Sequence, residues 1–253
     1  MAGFFGFFDY TKPGPGVPKD APPKSRFIVF FEVFLRKFWR LVTLNIIYFI
    51  ACIPIITIGP ATAGFTYVLR NFSREEHAWV WSDFKEHALR NFKQAFIISV
   101  IDLFALVIGY VNFQFYSQIG TQNVLLGYLK YVIAAMGIIF IIMHLYIYPM
   151  LVTFKLTVKQ IFKNAFIFAI LKLPQNIGML FLCAIVALGF YYYYMIGILL
   201  TPFIVLSTLG LMINFYVYPI LQKYMIDKIQ AVEEVENTEK VEDIEDIDAN
   251  VQA

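Results

Sequence analysis

The sequence predicts an all-α polytopic membrane protein. About six membrane helices are expected, the second short or re-entrant, as three parallel hairpin repeats, each preceded by a cytoplasmic amphipathic helix. Composition is the first of three observations behind this. The chain is 60% hydrophobic and only 15% charged, with a mean hydropathy of +0.68. A soluble domain carries about 25% charged residues; a chain this apolar cannot cover its surface with polar groups, so its solvent is lipid. The second observation is internal repetition. Phe84-Lys85 through Phe92-Lys93-Gln94-Ala95-Phe96-Ile97 recurs seventy residues later as Phe154-Lys155 through Phe162-Lys163-Asn164-Ala165-Phe166-Ile167. Tyr146-Ile147-Tyr148-Pro149 recurs at that same offset as Tyr216-Val217-Tyr218-Pro219. Two landmarks at one offset signal a repeat. A fainter third copy aligns Phe30, Glu32, Leu35, Arg36 and Phe38 with Phe84, Glu86, Leu89, Arg90 and Phe92.

The third observation is where the charge falls. Seven Lys or Arg lie between Lys12 and Arg40, five between Arg70 and Lys93, three between Lys155 and Lys163, and two at Lys223 and Lys228. The linkers at Gly59, at Ser117–Asn123 and around Tyr191–Gly197 hold none. Positive charge stays on the cytoplasmic side, which puts both termini and all the amphipathic helices there. A five-span chain would strand Arg36, Lys37 and Arg40 on the wrong side, so six is preferred. The net charge of +2 hides a split, because Glu233–Asp248 alone holds nine acidic residues.

In chain order, residues 1–24 are rich in Pro, Gly and Phe, which forbids a helix. They lie in the membrane interface or plug the bundle or a partner. Residues 25–228 form the membrane domain, with repeats at about 25–73, 84–151 and 154–221. Ser25–Arg40 reads as an amphipathic interfacial helix, and Leu41–Ile58 as a first span of about 27 Å. Gly59-Pro60 then interrupts, and Ala61–Leu69, about 14 Å if helical, re-enters part-way or crosses as a short packed helix. Arg70–Gln94 and Val152–Asn164 are the other interfacial helices. Ala95–Tyr116, Val124–Met150, Ala165–Tyr194 and Ile196–Tyr218 are full spans. Residues 229–253 form an acidic tail, too charged and too polar to fold. No signal peptide or lipid-anchor motif is read at either end.

Few residues offer chemistry. Inside the spans stand Asp102, Lys130, His144 and Lys172, and an ionisable group there needs a named partner. Asp102 and Lys172 are seventy apart, so the repeat predicts an intramembrane pair. It is a structural ion pair, a proton or substrate site, or two chains snorkelling to lipid heads. His144 reads as a helix-packing hydrogen-bonder. No His, Cys or carboxylate group has metal spacing, no glycine loop cradles phosphate, and no nucleophile stands beside a base. No enzyme activity, cofactor or nucleic-acid partner is therefore expected. The basic helices either lie on anionic lipid heads or offer a docking face built from Lys85, Arg90, Lys93, Lys155, Lys159 and Lys163.

Several stretches resemble the YesL-like family of bacterial integral membrane proteins, a domain of unknown function. They are Gly6-Phe7-Phe8-Asp9-Tyr10 with Lys12-Pro13-Gly14-Pro15-Gly16-Val17, Phe38-Trp39, Ile56-Thr57-Ile58-Gly59-Pro60-Ala61-Thr62-Ala63, and Arg74-Glu75-Glu76-His77 through Trp81-Ser82-Asp83-Phe84. The likeness runs from Gly3 to about Lys228. It implies a protein of the bacterial cytoplasmic membrane that is accessory to carbohydrate uptake, partnered by an ATP-driven sugar importer or a sensor kinase. Asn164-Ala165 through Leu173-Pro174 also resembles, at its Ala and Leu-Pro positions, the coupling loop of sugar importer permeases. The alternative expectation is a stand-alone small-solute transporter using the Asp102/Lys172 pair.

Overall fold

The structure, a computed structural model, describes residues 25–120 and 123–227, and all their regular structure is helical. The expectations for residues 1–24 and 229–253 lie outside the described residues. α1 (Arg26–Arg36) and α2 (Phe38–Ala51) are separated by a single residue, Lys37, at φ −104° and ψ 14°. Pro54 stops the chain from continuing as helix. The Thr57 hydroxyl, set against the Ala51 carbonyl at 2.6 Å and the Pro54 carbonyl at 2.7 Å, closes the turn. α3 (Ile58–Ser73) follows. Here the reading of Ala61–Leu69 is corrected: at 16 residues the helix is about 24 Å long. Pro60 falls in its first turn, where a missing N–H costs nothing, so Gly59-Pro60 starts the helix instead of breaking it.

α3 ends in a Schellman motif, with Glu76 N–H on the Asn71 carbonyl at 2.9 Å and Glu75 N–H on the Phe72 carbonyl at 3.1 Å. Glu75 takes the left-handed position that glycine usually fills, at φ 59°. The expected continuous helix Arg70–Gln94 is thereby divided. α4 (Val80–Arg90) begins only after the turn, and α5 (Phe92–Ile119) follows a one-residue break at Asn91. α1 and α4 are both 11 residues long, and both end one residue before a longer helix.

Asn123 caps the short α6 (Val124–Gly127), accepting from the N–H groups of Leu125 and Leu126, and α7 (Leu129–Thr153) carries Pro149 inside it. The expected helix Val152–Asn164 is also corrected. α8 (Val158–Leu171) starts late because Thr157 and Gln160 form a capping box that fixes its first turn. Phe154-Lys155 therefore lies before α8, whereas Phe84-Lys85 lies within α4. α9 (Leu173–Tyr191) begins at a Pro174 that breaks the ladder after α8. α10 (Tyr194–Leu200) leads through a widened turn at Thr201–Val205, holding Pro202, into α11 (Leu206–Leu221).

α3 is the most enclosed helix, packed against α4, α5, α7 and α11. It also touches α7 and α11 as part of a mutually contacting trio. Outside that trio α5 lies against α3 and α7, α9 against α7 and α11, and α2 against α11 and α3. Two glycines permit this closeness: a Cβ at Gly59 would strike the Ala95 carbonyl of α5, and one at Gly64 the Phe84 carbonyl of α4. Small residues at crossings are how helices meet in lipid, where apolar burial gives little drive and packing with internal hydrogen bonds decides. Four helical stretches are long and apolar enough to cross a membrane: Phe92–Ile119, Val124–Thr153, Leu173–Tyr191 and Tyr194–Ile226. α2 is apolar but shorter, at 14 residues.

Candidate functional site

Three of the six basic residues expected to form a docking face line one cleft of about 960 Å³: Arg90, Lys93 and Lys155. α4 brings Arg90 and the first turn of α5 brings Lys93. Lys155 enters from the α7–α8 turn, held near by Gln94, which donates to the Leu156 carbonyl at 3.1 Å. The floor is Arg70, near the end of α3 and only 9% exposed. Its guanidinium lies over the Tyr67 ring and donates to the Val152 carbonyl at 3.0 Å, the Thr153 hydroxyl at 3.2 Å and Asn71 Oδ1 at 3.0 Å. Those partners are all neutral, so the cation is fixed in place but not neutralised. His87 stacks on the same Tyr67 ring, centroids 3.3 Å apart, and burial pushes its imidazole below the usual value. No Asp or Glu lines the cleft.

Lys85, Lys159 and Lys163 are exposed on α4 and α8 but do not line it. None of the six predicted residues makes an ion pair among the described residues. The turn after α3 contrasts with this. There Arg36 pairs with Glu75 at 2.8 Å and Arg74 with Glu76 at 2.7 Å. Lys37 is buried over the Phe72 ring and donates to the Glu76 carbonyl at 2.9 Å. Burial, with Arg36 and Arg40 alongside, pushes its ammonium down to about 8. Charge there clamps α1 and α2 to the α3–α4 turn; in the cleft it is left available to an anionic group.

The structure does not bring Asp102 and Lys172 together. Asp102, on α5, has His144 of α7 as its neighbour, with Nε2 and Oδ1 3.0 Å apart. That is ion-pairing distance but off the hydrogen-bond line, so Oδ1 has no donor among the described residues. The other ring nitrogen of His144 faces the Phe140 carbonyl at 2.9 Å. Lys172 occupies the break between α8 and α9, its ammonium 5.0 Å from the Tyr224 ring centroid. The pairing expectation failed because Pro174 ends α8 and leaves Lys172 at a helix end, while Asp102 stays mid-helix.

Sequence reasoning missed two asparagines. Asn176, fully buried at the start of α9, accepts from Tyr146 Oη at 2.5 Å and Tyr216 Oη at 2.7 Å, and donates to the carbonyls of Phe168 and Ala169. The two tyrosines of the seventy-residue repeat thus converge on one amide. Asn45, equally buried on α2, donates to the Thr201 carbonyl at 2.7 Å and accepts the Ser207 N–H at 2.6 Å across the widened turn. A single Asn in an otherwise apolar run was the available signal.

No group of three or more His, Cys, Asp or Glu suited to a metal ion occurs among the described residues. No curated protein and no solved structure matches the chain. Residues 41–113, from α2 into α5, match the model of a family described as "Protein of unknown function, DUF624". Over that stretch the chain carries the pattern of DUF624, the family to which YesL-like proteins belong.

Proposed function

We propose that the chain is an accessory subunit of the bacterial cytoplasmic membrane. On this reading it engages an ATP-driven sugar importer, or the sensor kinase beside one, through its basic cytoplasmic end. The observation that carries it is the cleft of Arg70, Arg90, Lys93 and Lys155, a concentration of positive charge without a carboxylate in its lining. Cations left unpaired at an exposed surface steer and orient an oppositely charged partner.

The same proposal places six membrane helices as three hairpins, α2 with α3, α5 with α7, and α9 with α11. What supports it is the packing, in which each outer helix lies between two members of the α3–α7–α11 trio. The matched lengths of α1 and α4 support it too. Both termini are then cytoplasmic, and no reaction is proposed. The alternative, a transporter built on Asp102 and Lys172, loses the pair it required.

Purification of the full chain in mild detergent, followed by mass spectrometry, tests the docking. A stoichiometric importer or kinase subunit is expected. Changing Arg90, Lys93 and Lys155 together to Gln should remove it while the chain still elutes as a single folded species. A wild-type protein that comes through alone contradicts the reading.

A further inference from the structure

Where α3, α7 and α11 meet, a cavity of about 210 Å³ opens within the bundle, and Thr66, Tyr148 and Asn214 are among the residues lining it. Each comes from a different one of the three helices. They are 6%, 8% and 3% exposed. Asn214 donates its amide N–H to the Gly210 carbonyl at 2.8 Å, but its Oδ1 has no donor among the described residues. Nor, among the described residues, does Thr66 Oγ1 or Tyr148 Oη have a hydrogen bond. The wall nearby is different: Tyr48 Oη and Thr62 Oγ1 lie 3.0 Å apart and satisfy one another. Roughly nine in ten buried polar groups find a partner. Asn214 Oδ1 does not; with the unbonded hydroxyls of Thr66 and Tyr148 lining the same space from two other helices, it marks a place where the partner is a ligand.

Charge narrows what the ligand is. The only ionisable lining group other than tyrosine is His144, and no Lys, Arg, Asp or Glu lines the cavity. An ion entering here would find no Lys, Arg, Asp or Glu in the lining to compensate it, at a depth where uncompensated charge is costly. A neutral molecule meets no such penalty and can answer the three polar groups. The volume is that of roughly seven water molecules, which excludes anything as large as an oligosaccharide.

We propose that this cavity is a binding site for a small, neutral, polyhydroxylated solute. A ligand hydroxyl donates to Asn214 Oδ1, and others exchange hydrogen bonds with Thr66 Oγ1 and Tyr148 Oη. The site shares no lining residue with the basic cleft and does not depend on docking there.

Equilibrium dialysis of radiolabelled erythritol against the full chain in nanodiscs tests it, with choline and acetate as charged competitors. Saturable binding at one erythritol per chain is expected, undisturbed by either competitor. Thr66→Val and Tyr148→Phe each remove one hydroxyl with little change of shape, and each should weaken binding about five- to tenfold. Asn214→Leu should abolish binding yet raise the unfolding temperature of the ligand-free protein, since an unanswered amide oxygen is replaced by an apolar group. Absence of saturable binding by the wild type, leaving the cavity to water only, overturns the proposal. So does displacement by choline or acetate, or wild-type affinity in Thr66→Val and Tyr148→Phe.

Discussion

Asn176→Leu is expected to lower the unfolding free energy by about 3–4 kcal/mol. Four hydrogen bonds end on this amide, from Tyr146 and Tyr216 and to the carbonyls of Phe168 and Ala169. Measured side-chain hydrogen bonds between membrane helices average about 0.6 kcal/mol, which sets a floor near 2.4 kcal/mol for four of them. Stranding a buried polar group costs about 1–3 kcal/mol, and the substitution strands several at once, so the expected value lies above that floor. Tyr146→Phe and Tyr216→Phe each remove one donor while leaving the amide three partners, and should cost about 1 kcal/mol or less apiece. Unfolding in mixed detergent micelles gives all three values. If Asn176→Leu proves no more harmful than either tyrosine change, the amide does not hold α7, α8 and α11 together.

Asn45→Leu is expected to cost about 2–3 kcal/mol, for a reason located in the widened turn before α11. Pro202 lacks an N–H and widens the helix into the Thr201–Val205 turn. Asn45 answers the backbone groups on either side of it, the Thr201 carbonyl and the Ser207 N–H. Leucine leaves both unanswered, the Ser207 N–H at a fully buried position. In a Pro202→Ala background the turn can relax toward an ordinary α-helix, so the penalty of Asn45→Leu should fall by about half. Strict additivity of the two changes would show that Asn45 and the widened turn are independent.

These asparagines show where the sequence was legible and where it was not. Apolar runs located α5 and the stretch Val124–Thr153 to within a few residues, because length and hydropathy decide what can sit in lipid. The expected single span Ala165–Tyr194, however, is broken at Lys172 into α8 and α9. The breaks at Lys37 and Asn91 were not foreseen, since the expected helices Ser25–Arg40 and Arg70–Gln94 run through them. The start of α8 was missed although Thr157 and Gln160 carry a readable capping signature. The Asp102/Lys172 pairing dissolved for a separate reason, the break that Pro174 imposes at Lys172. The Glu75 turn was harder to foresee, since nothing local distinguishes a glutamate that will take a left-handed conformation. Of the docking residues, sequence gave the charges of Arg90, Lys93 and Lys155 but not their convergence, which depends on how the α7–α8 turn folds against α5. Asn176 was invisible as a junction because its partners lie 30 and 40 residues away.

The layout of three hairpins with every basic helix on the inner side rests on α2 and α3 both crossing the bilayer. A single cysteine at Ile56, in the exposed turn between them, with Cys52 and Cys183 replaced by serine, tests this in intact cells. A membrane-impermeant maleimide should label Ile56→Cys from outside, as it should Gln118→Cys, while Lys159→Cys reacts only after permeabilisation. Labelling of Ile56→Cys from the cytosol alone would contradict the layout.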